Sequence, residues 1–200
     1  MLCDFMTRVS ARFRLIATAS AALCVGTATV LAPAASAHPQ GGCRYAHSPV
    51  GAASRPQLQE AVVCLINQQR THRHLPRLHE NQRLNRSAQG WTDVMVRQDD
   101  FSHGADFSAR ISAVGFDWSM AGENIASGFM TPAAVVRGWM GSADHCRNIL
   151  TPSFADVGTG VKARGLADNH RGGTWTQDFG LSMGAHAPSG NWGPADGCPY

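Results

Sequence analysis

Lysine is nearly absent from this chain: Lys162 stands alone against sixteen arginines. That imbalance points to a biased genome composition and not to a task. Charge of one sign is also scarce. Lys+Arg 17 against Asp+Glu 14 gives +3 over 200 residues. Arg8, Arg12, Arg14 and Asp4 fall in the first 37 positions, so the remainder holds 14 bases against 13 acids, or +1. Nucleic-acid binders carry a clustered basic excess, and none is present. Glycine-rich phosphate-binding motifs are missing, which excludes the nucleotide-cofactor classes they mark. No Cys-x-x-Cys pair exists, which argues against a zinc-cysteine cluster. His79-Glu80 has no second histidine at the zinc-protease spacing. Internal repeats are absent too. With 44% apolar and 16% charged residues, the composition is that of one packed domain with short extensions.

Residues 1–37 read as an export signal. Arg8, Arg12 and Arg14 form a positive leader, Leu15 to Leu31 is uncharged and apolar, Pro33 breaks the helix, and Ala35-Ser36-Ala37 is a small-residue cleavage site. The apolar run is at the short edge of a membrane span. Cleavage after Ala37 is the expectation, leaving no stable span and a secreted, extracellular chain. Leu23 before Cys24 disfavours a lipid-attachment site. Cys43, Cys64, Cys146 and Cys198 then remain, an even number that reads as two disulfides. Of the three possible connectivities, Cys43–Cys64 with Cys146–Cys198 is favoured, one stapling the N-terminal segment and the other the C-terminal tail.

Residues 38–55 are rich in Gly, Ala and Pro and expected to be irregular. The main domain is placed at 56–184, followed by a tail over 185–200 tied by Cys198. A helix is predicted from Pro56 to Thr71–His74, with Leu58, Val62, Leu65 and Ile66 as its apolar face. Leu84, Ala88, Trp91 and Met95 give the clearest helical stripe. Shorter helices are predicted over 106–113 and from Thr131-Pro132 to Gly141. Val157, Thr159 and Val161 alternate like a strand, as do Trp175, Gln177 and Phe179. Helices first and strands later argue for an α+β layered domain.

Motifs of known type run through this frame: Leu65-Ile66-Asn67-Gln68-Gln69-Arg70, Phe101-Ser102-His103, Ala121-Gly122-Glu123-Asn124-Ile125-Ala126, Ser142-Ala143-Asp144-His145-Cys146-Arg147-Asn148-Ile149-Leu150, and Thr174-Trp175-Thr176-Gln177-Asp178-Phe179-Gly180. In that order and spacing, over about residues 57–181, the chain resembles the bacterial branch of the CAP (SCP/PR-1-like) superfamily. The resemblance implies a three-layer α-β-α sandwich with a central antiparallel sheet and a cleft lined by histidine and glutamate. In the eukaryotic branch two His and two Glu can hold a divalent metal. His103 and Glu123 match the first His and first Glu. Ser142 stands at the second Glu position and Thr174 at the second His position, so half of that set is missing, while His145 fits a histidine that bacterial relatives carry.

His103 beside Glu123 would suit general-base work on a water, and with His145 the pair would suit zinc with an open position. His103 and Glu123 are therefore the candidate catalytic residues, His145, Ser142 and Gln177 the candidate binding residues, and His103, Glu123 and His145 the candidate zinc ligands. Only one of Gln177 and Asp178 can face the cleft. Gly180-Leu181-Ser182-Met183-Gly184 matches the nucleophile elbow, but no helix pattern follows it. Two functions from different classes emerge: an extracellular binding module for a lipid, wall component or protein partner, or a metal- or His/Glu-assisted hydrolase of envelope peptides or glycans. A disulfide-stapled structural domain is a third.

Overall fold

The computed structural model describes residues 42–166, 170–190 and Cys198. The predicted leader over 1–37 and most of the C-terminal tail lie outside the described residues. Among the described residues nine elements follow in order: α1 (Arg55–Thr71), β1 (His79–Glu80), α2 (Gln82–Gln98), α3 (Phe107–Ala113), β2 (Trp118–Phe129), α4 (Pro132–Met140), α5 (Ala143–Leu150), β3 (Asp156–Lys162) and β4 (Gly173–Ser182). Residues 42–54 hold turns and one isolated bridge, and Val50 N–H donates to the Met130 carbonyl at 2.8 Å.

The helices begin where capping chemistry puts them. The Ser54 N–H donates to Gln57 Oε1 at 2.9 Å before α1, and Pro56 supplies a fixed φ in its first turn. Asn81, Asp106 and Thr131 each accept a backbone N–H with the side chain at the starts of α2, α3 and α4.

The sheet order is β1-β3-β4-β2. The three long strands pair antiparallel, as expected, and the two-residue β1 joins the β3 edge in parallel, so the complete sheet is mixed. α2 and α3 cover one face; α1, α4 and α5 cover the other. Trp139 and Trp175, with Val157, Val161 and Phe179, fill the core under α1 and α4. Burying each large apolar side chain stabilises the fold by roughly 1.5–3 kcal/mol. On the opposite face α2 lies directly on β3. A Cβ at Gly158 would stand 2.1 Å from the Leu84 carbonyl carbon, and one at Gly160 2.3 Å from the Ala88 carbonyl oxygen. Only glycine allows that approach.

One charged side chain is buried whole to tie two elements together. The Arg70 guanidinium donates to the carbonyls of Pro76 (2.7 Å), Ile149 (2.8 Å) and Thr151 (2.9 Å), fixing the end of α1 to the end of α5. Desolvation there lowers its pKa to about 10. The disulfides join Cys43 to Cys64 and Cys146 to Cys198, the favoured pairing.

Candidate functional site

The site straddles β2, an edge strand. Its residues 122–126 are buried, with helices over both faces, so consecutive side chains enter two different environments. Glu123 lies opposite Asp178 in the β2–β4 register, and Asn124 lies opposite Gln177. On β4, Trp175, Gln177 and Phe179 share the face packed on α1 and α4, so Thr176 and Asp178 face α2.

On the α2 side, His103 leaves the loop after α2 and places Nδ1 2.8 Å from Glu123 Oε1. An ionised carboxylate only accepts, so Nδ1 carries the proton of this bond, and in the neutral imidazole Nε2 is left as an acceptor. Arg110 on α3 donates from Nη2 to Glu123 Oε2 at 2.5 Å and from Nη1 to the His103 carbonyl at 3.0 Å. Its guanidinium lies over the Trp91 ring, 4.0 Å from the centroid, and Trp91 Nε1 donates to the Ser102 carbonyl at 2.9 Å. Gly104 closes the loop at φ +66°, where a Cβ would stand 2.6 Å from the Trp91 ring. The His103 loop is thus fixed from α2, α3 and its own glycine. The Glu123 side chain is 1% exposed, whereas that of His103 is 49% exposed. The carboxylate is therefore a buried fixture and the imidazole the group a ligand can touch.

Asp178 completes this side. It is fully buried, with neither oxygen in a geometrically sound hydrogen bond among the described residues. Burial pushes its pKa well above the ordinary 3.8 and the neighbouring Glu123 pushes it the same way, while Ser87 and Arg110 pull it down. One guanidinium cannot neutralise two buried carboxylates, and Asp178 is the one whose burial favours the protonated form.

On the other side, α5 is docked to β2 through amides. Asn148 Nδ2 donates to the Glu123 carbonyl (3.1 Å) and to Asn124 Oδ1 (2.9 Å); Asn124 Nδ2 donates to the His145 carbonyl (3.2 Å) and Gln177 Oε1 (3.2 Å). This places His145 near His103. Burial lowers the His145 pKa, the charge of His103 lowers it further, and Asp144 opposes both. Beside His145 a cavity of about 300 Å³ opens, walled by Phe101, Ile125, Phe129 and Trp139, with Ser142 as its other polar lining residue beyond the backbone-bonded Ser127.

The structure therefore brings His103, Glu123 and His145 to one edge of the sheet and sets Ser142 in the adjoining cavity. Gln177 requires a correction. It is 0% exposed and lies between Trp175 and Phe179 in the core, so it cannot contact a ligand in the cleft. Asp178 is the residue on the face of Glu123. Thr174 is also buried, donating to the Arg164 carbonyl at 2.6 Å. After Ser182 the chain turns and, among the described residues, no helix follows, so the elbow motif lacks its context. Arg110, Trp91 and Asn148 were not foreseen as site residues. The candidate zinc set does not fit. Both Glu123 oxygens are engaged, one of them by a cation, and no three His, Cys, Asp or Glu side chains converge in ligand geometry among the described residues.

The model of the cysteine-rich secretory protein (CAP) family matches residues 63–179. The uncharacterized protein YkwD of Bacillus subtilis is 34% identical over 126 residues, 60% of this chain and 46% of that protein. The uncharacterized membrane protein YlbC of the same organism is 27% identical over 56% of this chain and 33% of its own length. This chain thus spans less than half the length of those curated relatives. An extracellular SCP-domain protein of Bacillus anthracis superposes with a TM-score of 0.55 at 24% identity, covering 65% of this chain and 44% of that one. An outer surface protein of Borrelia burgdorferi gives 0.54 at 19% identity, covering 60% and 90%. These structures share the fold.

Proposed function

Because the chain belongs to the cysteine-rich secretory protein (CAP) family, we propose that it is an exported binding module whose cleft takes an apolar group of an extracellular lipid, wall component or protein. The observation that carries this reading is the cavity of about 300 Å³ with aromatic walls and His145 and Ser142 at its polar end. Apolar walls with few convergent polar groups are the usual make-up of a ligand site. His103, half exposed beside it, supplies an acceptor at Nε2 for a ligand's polar end. Export rests on the leader over 1–37 and the two disulfides. Among the described residues no helix is long and apolar enough to cross a membrane. The site works without a resident metal in this reading, since Arg110 holds the place beside Glu123 that a cation would take.

One observation favours a hydrolytic alternative. A buried carboxylate orients His103 and leaves Nε2 free to take a proton from water. The aromatic cavity beside it supports binding more directly.

The test is a titration of the oxidised protein with the fluorescent aromatic probe 1-aminoanthracene. One saturable site is expected, weakened at least tenfold, about 1.4 kcal/mol, by Ser142→Phe, which fills the cavity. A probe that does not saturate, or is indifferent to that substitution, would sink the cleft reading. Turnover of envelope peptides or glycans that His103→Ala abolishes without loss of stability would replace it with the hydrolytic one.

A further inference from the structure

The opposite edge of the molecule carries a second feature that the cleft does not use. A groove of about 520 Å³ runs between the first turns of α1 and α2, beyond β3. The sheet order sets β3 and β2 on either side of β4, so this groove and the His103 cleft lie at opposite edges. Arg55 and Arg86 line it, both exposed, and neither has an ion-pair or hydrogen-bond partner among the described residues. Among the described residues no acidic side chain lines it, and neither helix has an acid in its first turn. Two carboxylates bond to lining residues from outside it: Glu80 accepts from Asn85 Nδ2 at 2.7 Å and Asp93 from Gln89 Nε2 at 3.2 Å.

The wall between the arginines is built and rigid. Gln59 Nε2 donates to the Thr159 carbonyl at 2.6 Å, and Asn85 Oδ1 accepts the Thr159 N–H at 2.8 Å. Gln59 is 7% exposed and Asn85 5%, so these amides cannot swing out to neutralise or fill the groove. A pocket of this size, with a fixed amide floor and two unpaired guanidinium forks, is complementary to oxyanions, which Arg engages bidentately. We propose that the α1–α2 groove is a binding site for a ligand carrying two oxyanion groups, phosphate or carboxylate, bridged between Arg55 and Arg86. It is independent of the cleft and leaves His103 free while the anion is held.

The experiment is nuclear magnetic resonance titration of the oxidised protein with inorganic pyrophosphate and, separately, with tricarballylate. Saturable shifts of the Arg55 and Arg86 Nε–Hε signals and of the Gln59 and Gln82 side-chain amides are expected. Preference between the two anions identifies phosphate or carboxylate as the natural group. Arg55→Gln/Arg86→Gln should weaken binding at least tenfold, whereas Arg77→Gln/Arg97→Gln, with the same loss of charge on exposed arginines outside the groove, and His103→Ala should not. Absence of a saturable shift with either anion up to about 10 mM, a concentration at which weak millimolar binding still registers, overturns the proposal. So does equal weakening by the two double variants, which would mean general charge attraction. Indifference to His103→Ala separates this site's failure from that of the cleft.

Discussion

At Glu123 a carboxylate sits where water scarcely reaches it, and the residues around it decide its charge. His103 and Arg110 engage its two oxygens, and beside it burial and the Glu123 charge push the Asp178 pKa up. The raised pKa of Asp178 has a sign for stability. The folded state retains a proton that the unfolded chain releases above about pH 3.8, so Asp178 favours folding below that value and this contribution is lost as pH rises. Asp178→Asn keeps the shape and cannot ionise. Its melting temperature is expected to exceed that of the parent by several degrees at pH 8 and to match it near pH 4. Scanning calorimetry at both pH values checks this; a melting temperature lowered equally at both would mean that the carboxyl makes a contact the amide cannot. His103, Glu123 and His145 were legible in the sequence because each sits in a short motif. Arg110 was not, because its partners Trp91, His103 and Glu123 meet only through the fold. The choice between Gln177 and Asp178 needed the register, since alternation says that they diverge and not which way each points.

Both edges of the sheet are closed by side chains of helices. On β3 the free backbone groups of Thr159 and Val161 pair with Gln59, Asn85 and Gln89. On β2 the carbonyls of Glu123 and Ile125 accept from Asn148 and Trp139. Open edges invite pairing with other chains, and these amides block it. Asn85→Ala would leave the buried Thr159 N–H without a partner, at a cost of about 1–3 kcal/mol. Hydrogen exchange at the Thr159 amide should accelerate while that of Gln177 in the central strand follows global stability alone; equal acceleration at both would deny the local role. The same arrangement explains what periodicity could not supply. The helices α1 to α4 were legible because one face of each is apolar. β2 was not, because Gly122-Glu123-Asn124 is polar yet buried between helical layers, and no apolar–polar alternation survives there. β1 is two residues long, too short for a pattern to declare itself.

For the whole molecule the disulfides set the conditions under which the fold persists. They close loops with sequence separations of 21 and 52 residues. Loop-closure entropy assigns them roughly 3 and 4 kcal/mol respectively. Together these are comparable with the entire stability of an ordinary domain, about 5–15 kcal/mol, so reduction should bring this protein close to its unfolding threshold. That fits the proposed export, because disulfides persist in an oxidising compartment. The two bridges should also differ in what else they disturb. Cys146 is buried in α5 next to His145, whereas Cys43 and Cys64 join the N-terminal segment to α1. Cys146→Ala/Cys198→Ala is expected to lower urea stability by about 4 kcal/mol and to weaken aromatic-probe binding in the cavity beside Ser142. Cys43→Ala/Cys64→Ala should lower stability by about 3 kcal/mol and leave that binding unchanged. Equal effects on the probe would mean that the cavity follows global stability, and that α5 is held by Asn148 and Arg70 without help from its disulfide.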